Sequence, residues 1–291
     1  MIKLLALLAA VLAAAAAVQG TGASFTASAT NNGSSFATAT KFAPKVTITS
    51  PASGSATNDT TPTFTGTAGN ATGDSATVTV RIYSGTSATG TAVQTRTATR
   101  SGTSWSTTAT GLAAGTYTAQ AAQTDTSGNT GTSAAVTFTI DTTSPTATKV
   151  LAANKPGGTA GQIENGDTVT FTYSEPITAA SVSTGWDGSS KSVQVTFTNS
   201  SNSDTFSVAG TKLGTVDTNG NYVSGTTTFA STMTRSADGA SIVLTLGTPQ
   251  NVRPAVSGRN MSWSVAAGIA DLAGNLSVTG TWNETGNTVD F

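Results

Sequence analysis

The stretch Thr77-Val78-Thr79-Val80-Arg81-Ile82 decides the fold class. Its apolar residues fall on every second position. That is the period of a strand with one face in a core and the other in water. The same alternation recurs on both sides. Upstream, Val46 and Ile48 alternate with Thr47 and Thr49 until Pro51 ends the run, and Phe64 opens a strand that stops near Gly66. Downstream, Trp105 sits among Ser and Thr, Tyr117, Ala119 and Ala121 follow Gly115, and Val136, Phe138 and Ile140 close the set. About seven short strands parted by Gly, Ser and Asn turns predict an immunoglobulin-like sandwich over residues 45–141.

A second set follows a linker at residues 142–146. Val169, Phe171 and Tyr173 alternate, as do Val193, Val195 and Phe197, then Ile242, Leu244 and Leu246, then Met261, Trp263 and Val265. Leu276, Val278 and Trp282 are read as the last strand. Residues 147–291 are therefore a second sandwich, with an insertion-prone centre from about Asn199 to Ser241. No stretch beyond the amino terminus shows helical periodicity. The fold class is all-β: two tandem immunoglobulin-like β-sandwiches after a signal peptide and a short extended segment.

Composition agrees and excludes much chemistry. Of 291 residues, 61 are Thr and 34 are Ser, and the β-branched Thr fits the solvent face of a sheet. There is no Cys and no His. This removes disulfides, thiolate nucleophiles, imidazole bases and the usual zinc ligands. A net charge of −1 gives no footprint for nucleic acid.

The amino terminus predicts export. Lys3 precedes an unbroken apolar run of 15 residues, Leu4 to Val18. A membrane span needs about 20, so the run suits a signal peptide, residues 1–23, cut after Thr21-Gly22-Ala23. No membrane span is expected after cleavage. Residues 24–44 form an extended segment or hairpin around the turn Asn31-Asn32-Gly33. Phe25 and Phe36 are its apolar anchors and the candidates for assembly, either as a strand donated to a neighbour or as part of a linker.

Two resemblances add to this reading. Gly20-Thr21-Gly22-Ala23-Ser24-Phe25-Thr26 with Asn31-Asn32-Gly33-Ser34-Ser35-Phe36 resembles the start of TasA/camelysin-type proteins, which implies processing by a SipW-type peptidase. Ala27 stands where that group commonly has an acid. Val46-Thr47-Ile48-Thr49-Ser50-Pro51, Thr61-Pro62-Thr63-Phe64, Leu112-Ala113-Ala114-Gly115-Thr116-Tyr117 and Asp125-Thr126-Ser127-Gly128-Asn129 resemble bacterial Ig-like (Big) domains. So do Asn165-Gly166-Asp167-Thr168-Val169 and Asp271-Leu272-Ala273-Gly274-Asn275 in the second unit. The two Asp-x-x-Gly-Asn stretches are read as equivalent turns.

Candidate sites are few. Asp125, Asn129, Asp141 and Asp271 offer hard oxygens in or beside loops, either for calcium or for turn chemistry alone. The resemblance to Big-type surface proteins implies calcium between domains, with Asp141 at the start of the linker. Trp186, in Thr184-Gly185-Trp186-Asp187-Gly188, is the loop aromatic suited to stacking on glycans, whereas the other tryptophans lie in strands and read as core. Glu164, Asp167 and Glu175 are the carboxylates near enough in sequence to suggest hydrolysis; acids flanking a strand equally brace turns.

The expected function is a non-enzymatic, secreted or cell-surface structural or adhesive protein. It would be an Ig-like spacer assembling into fibres or matrix, with surface or matrix proteins or its own copies as partners. No cofactor is required; calcium is the one candidate ion. The alternative is a carbohydrate-binding accessory module of the extracellular surface, with glycans as partners.

Overall fold

The computed structural model describes residues 42–254, 256, 260–284 and 291. The signal peptide, Phe25 and Phe36 lie outside the described residues. The described chain is nearly all β, with one short helix.

In the first unit the strands are β1 (Ser55–Thr57), β2 (Thr63–Thr67), β3 (Asp74–Ser84), β4 (Gln94–Thr99), β5 (Ser104–Thr108), β6 (Gly115–Asp125), β7 (Thr130–Thr132) and β8 (Val136–Ile140). One sheet runs β1-β8-β6-β3-β4, with β7 beside β6; β2 and β5 form the facing pair. Residues before Pro51 extend that pair, since the Thr47 and Thr49 amides donate to Thr67 and Thr65 (2.9 and 2.8 Å). The period-two residues Val78, Val80 and Ile82 are fully buried. Phe64 crosses the space between the layers to meet Phe138 edge-on, with centroids 5.5 Å apart.

The second unit holds β9 (Ala147–Ala153), β10 (Thr168–Tyr173), a one-turn helix α1 (Ala179–Val182), β11 (Lys191–Thr198), β12 (Thr205–Val208), β13 (Thr215–Asp217), β14 (Thr227–Arg235), β15 (Ser241–Thr245), β16 (Ser262–Val265) and β17 (Gly280–Asn283). These form one nine-stranded sheet, β17-β16-β13-β12-β11-β14-β15-β10-β9. Its ends come back together, since Thr146 and Ala147 line the same pocket as Thr281 and Trp282. The enclosed core centres on Trp263, which meets Phe171 and Tyr173 edge-on at 4.9 and 5.3 Å. The two units have separate apolar cores, one within residues 46–140 and one within 150–291.

Two details add to the expectations and one corrects them. The stretch from Asn199 to Ser241 carries three strands, β12, β13 and β14, between its loops. Its approach is fixed by fully buried Asp204, whose carboxylate accepts from the Ser200 and Val223 amides (2.9 and 2.7 Å). Second, α1 is a helix of 4 residues, about one turn, too short to show a helical period in the sequence. Third, Leu276 and Val278 precede the last strand and are 60% and 53% exposed. The chain there follows the linker, with the Val278 amide donating to the Pro145 carbonyl (3.0 Å), and so turns its aliphatic side chains outward.

Candidate functional site at the joint between the units

The Asp271–Asn275 turn begins where Asp271 bridges to Ile177. Asp271 is only 3% exposed. Its Oδ1 accepts from the Ala273 and Asn275 amides (both 2.8 Å), and its Oδ2 from Asn275 Nδ2 (2.8 Å). Gly274 supplies the positive φ, +94°, that closes the loop. The Asp125 turn in the first unit repeats this network. Its Oδ1 accepts from Ser127 and Asn129 amides (2.8 and 2.9 Å), its Oδ2 from Asn129 Nδ2 (2.9 Å), and Gly128 has φ +85°. The two turns are the same device, as the sequence suggested.

They sit at different places in the chain's length. Strand β6 starts at Gly115, opposite Ile140, and ends at Asp125. Its 11 residues span about 36 Å. Asp125 and Asn129 are thus at the far pole of the first unit from Asp141, and the four oxygen donors named from the sequence do not converge.

Asp141 and Asp271 do meet, and a third carboxylate joins them. One oxygen each of Asp141, Glu175 and Asp271 lies within 4.8 Å of the others. Register brings Glu175 there: β9 pairs antiparallel with β10, so Ser174, just past β10, donates its amide to the Thr146 carbonyl (2.8 Å) beside the linker. Burial, and then the charges of Asp141 and Asp271, raise the Glu175 carboxyl above its ordinary range. Three hard oxygen donors at one spot form a partial calcium shell, which needs 6 to 8 ligands.

The joint is also bonded directly. Asn275 Nδ2 donates to the Asp141 carbonyl (2.8 Å), and the Asn58 amide to the Ala273 carbonyl (3.0 Å). The Asp141 amide continues the β1–β8 pairing by donating to Thr57 (3.0 Å). The second unit's turn therefore grips both the linker and the body of the first unit.

The remaining candidates separate. Trp186 is buried, 5% exposed, and its indole N–H donates to the Ser189 carbonyl (2.6 Å). The tight turn at Gly185 folds the ring inward, so Trp186 has no face to offer a sugar. Asp167 is fully buried; its carboxylate accepts from the Lys155 and Glu164 amides (2.9 and 2.6 Å), and burial raises its pKa. Glu164 takes the Thr159 amide (2.6 Å) and faces Lys155 (3.6 Å). Strand β10, about 20 Å long, separates these two acids from Glu175. The three do not form a catalytic pair.

Residues 37–142 match the family model described as bacterial Ig-like domain. The Ig-like domain so defined carries β1 to β8 and ends at the linker. No curated protein matches the sequence. Among solved structures, the chain is similar to the fibronectin(III)-like modules of Clostridium thermocellum CbhA, at 17% identity and TM-score 0.30, over 82% of this chain and 92% of that one. It is similar to a protein of Corynebacterium diphtheriae described as membrane anchored, at 11% identity and TM-score 0.30, over 90% of this chain and 64% of that one. A third likeness is to dimeric latent PorU from Porphyromonas gingivalis, at 12% identity and TM-score 0.23, over 85% of this chain and 24% of that one. Among the described residues, no helix is long and apolar enough to cross a membrane.

Proposed function

We propose that the chain is a non-catalytic extracellular module that holds two Ig-like units end to end in a surface or matrix structure. The observation that carries this reading is the bonded joint: the Asp271–Asn275 turn reaches the Asp141 carbonyl and the Asn58 amide at once. A catalytic protein gains little from such a joint; a spacer gains fixed length and direction. The bacterial Ig-like match over residues 37–142 supports the extracellular setting, as does the apolar amino-terminal run. Attachment or fibre growth would use the amino-terminal segment with Phe25 and Phe36. Calcium enters this reading at Asp141, Glu175 and Asp271, where it would neutralise the like charges of the joint.

Electron microscopy of the secreted protein tests it. Rods of two units, or filaments built from them, support the reading. Independently tumbling units of variable separation refute it. Deleting residues 24–42 should abolish filaments or surface retention while leaving the rod.

A further inference from the structure

Three of the four tryptophans bury their rings and cap the indole N–H. Trp105 donates to the Thr67 carbonyl (3.0 Å), Trp186 to Ser189 (2.6 Å) and Trp263 to Leu213 (2.6 Å). Trp282 does neither. It is half-buried on β17, and its indole nitrogen has no acceptor among the described residues.

Trp282 lines a pocket of about 160 Å³ at the seam where β17 faces the start of β9. Ala147, Val265 and Val278 supply apolar wall, while Thr146, Thr279 and Thr281 bring hydroxyls. Each of these threonines is exposed. Among the described residues, no charged side chain lines the pocket.

The chemistry selects the ligand. A cavity of about 150 Å³ takes one six-membered ring. A charged ligand would meet no counter-charge. A hydrocarbon ring would cover the indole N–H and the hydroxyls without replacing their bonds to water. A peptide strand would need the outer edge of β17, which β9 already faces. A neutral ring with an apolar face and a hydroxyl-bearing edge satisfies an aromatic platform and its polar handle together. We propose that this pocket binds one neutral sugar ring, stacked on Trp282, with its hydroxyls bonded by the indole N–H and by Thr146, Thr279 and Thr281.

The test is a ¹H–¹⁵N titration of the full chain with methyl glycosides of glucose, galactose and N-acetylglucosamine, read at the four indole signals. Trp282→Phe identifies its signal; fastest exchange with water identifies it again should that variant fail to fold. Saturable movement of the Trp282 signal alone with at least one glycoside is the expected result. Thr281→Val should then weaken binding roughly fivefold. No movement with any glycoside overturns the proposal, as does linear movement of all four signals. Movement with N-acetylphenylalaninamide and none with glycosides overturns it in favour of a protein partner.

Discussion

Asn275 Nδ2 donates to the Asp141 carbonyl across 134 positions of sequence, at 2.8 Å, while also holding Asp271 Oδ2 at 2.8 Å. One side-chain amide thus closes the turn of the second unit and fastens it to the linker.

Replacing it separates the two duties of the turn. Asn275→Ala leaves an almost buried carboxylate short of a donor, which costs about 1–3 kcal/mol in the second unit. It also frees the linker. Limited proteolysis should cut near residues 142–146 faster in this variant. Asn129→Ala should destabilise the first unit by a similar amount and leave that cleavage rate unchanged.

Acid should relieve the joint. The Glu175 carboxyl is raised above 4.5 by burial and by its acidic neighbours. Protonation therefore favours the folded state below the ordinary value, and this contribution is lost as pH rises through the higher folded value. Glu175→Gln should stabilise the protein at neutral pH by no more than about 1 kcal/mol, since the group is partly exposed, and so raise the Tm. Its advantage should vanish below the ordinary pKa. Thermal melts of both proteins from pH 3 to 8 give the answer; an advantage that persists in acid would contradict the assigned cause.

Calcium should act on the same groups. An ion binding only the folded protein at tenfold over its Kd adds about 1.4 kcal/mol. The Tm should therefore rise at millimolar calcium, and Glu175→Gln should blunt the rise. Asn129→Ala should keep it, because the Asp125 turn lies at the other pole. A Tm indifferent to calcium would leave the three carboxylates as a purely structural cluster.

Separate cores predict separate melting. Phe64 and Phe138 meet only within the first core, Phe171 and Trp263 only within the second. Phe64→Ala should remove about 3–5 kcal/mol from the first unit. Calorimetry should show one transition moved down and another in place. A single transition shifted as a whole would mean that the joint couples the units tightly.

The strands were legible because a half-buried strand writes its burial into alternate residues. Val169, Phe171 and Tyr173 are all buried as that rule requires. The paired turns were legible because Asp, Gly and Asn each meet a separate demand: acceptor, positive φ, donor. Glu175 was seen only as a possible acid, because its place beside Asp141 depends on the β9–β10 register, which no local pattern encodes. Trp186 was misplaced because glycine neighbours signal a turn without saying which way the ring folds. Leu276, Val278 and Trp282 imitate a strand, yet only the last lies in one. Hydrophobicity marks a core residue only where the chain turns it inward.

The turn that latches the joint belongs to the downstream unit, and its twin occupies the matching end of the upstream one. At the joint the downstream unit supplies the side-chain amide and a carbonyl, and the upstream unit supplies the Asp141 carbonyl and the Asn58 amide. The coupling thus has a polarity along the chain: the latch lies on the later unit and its catch on the earlier one.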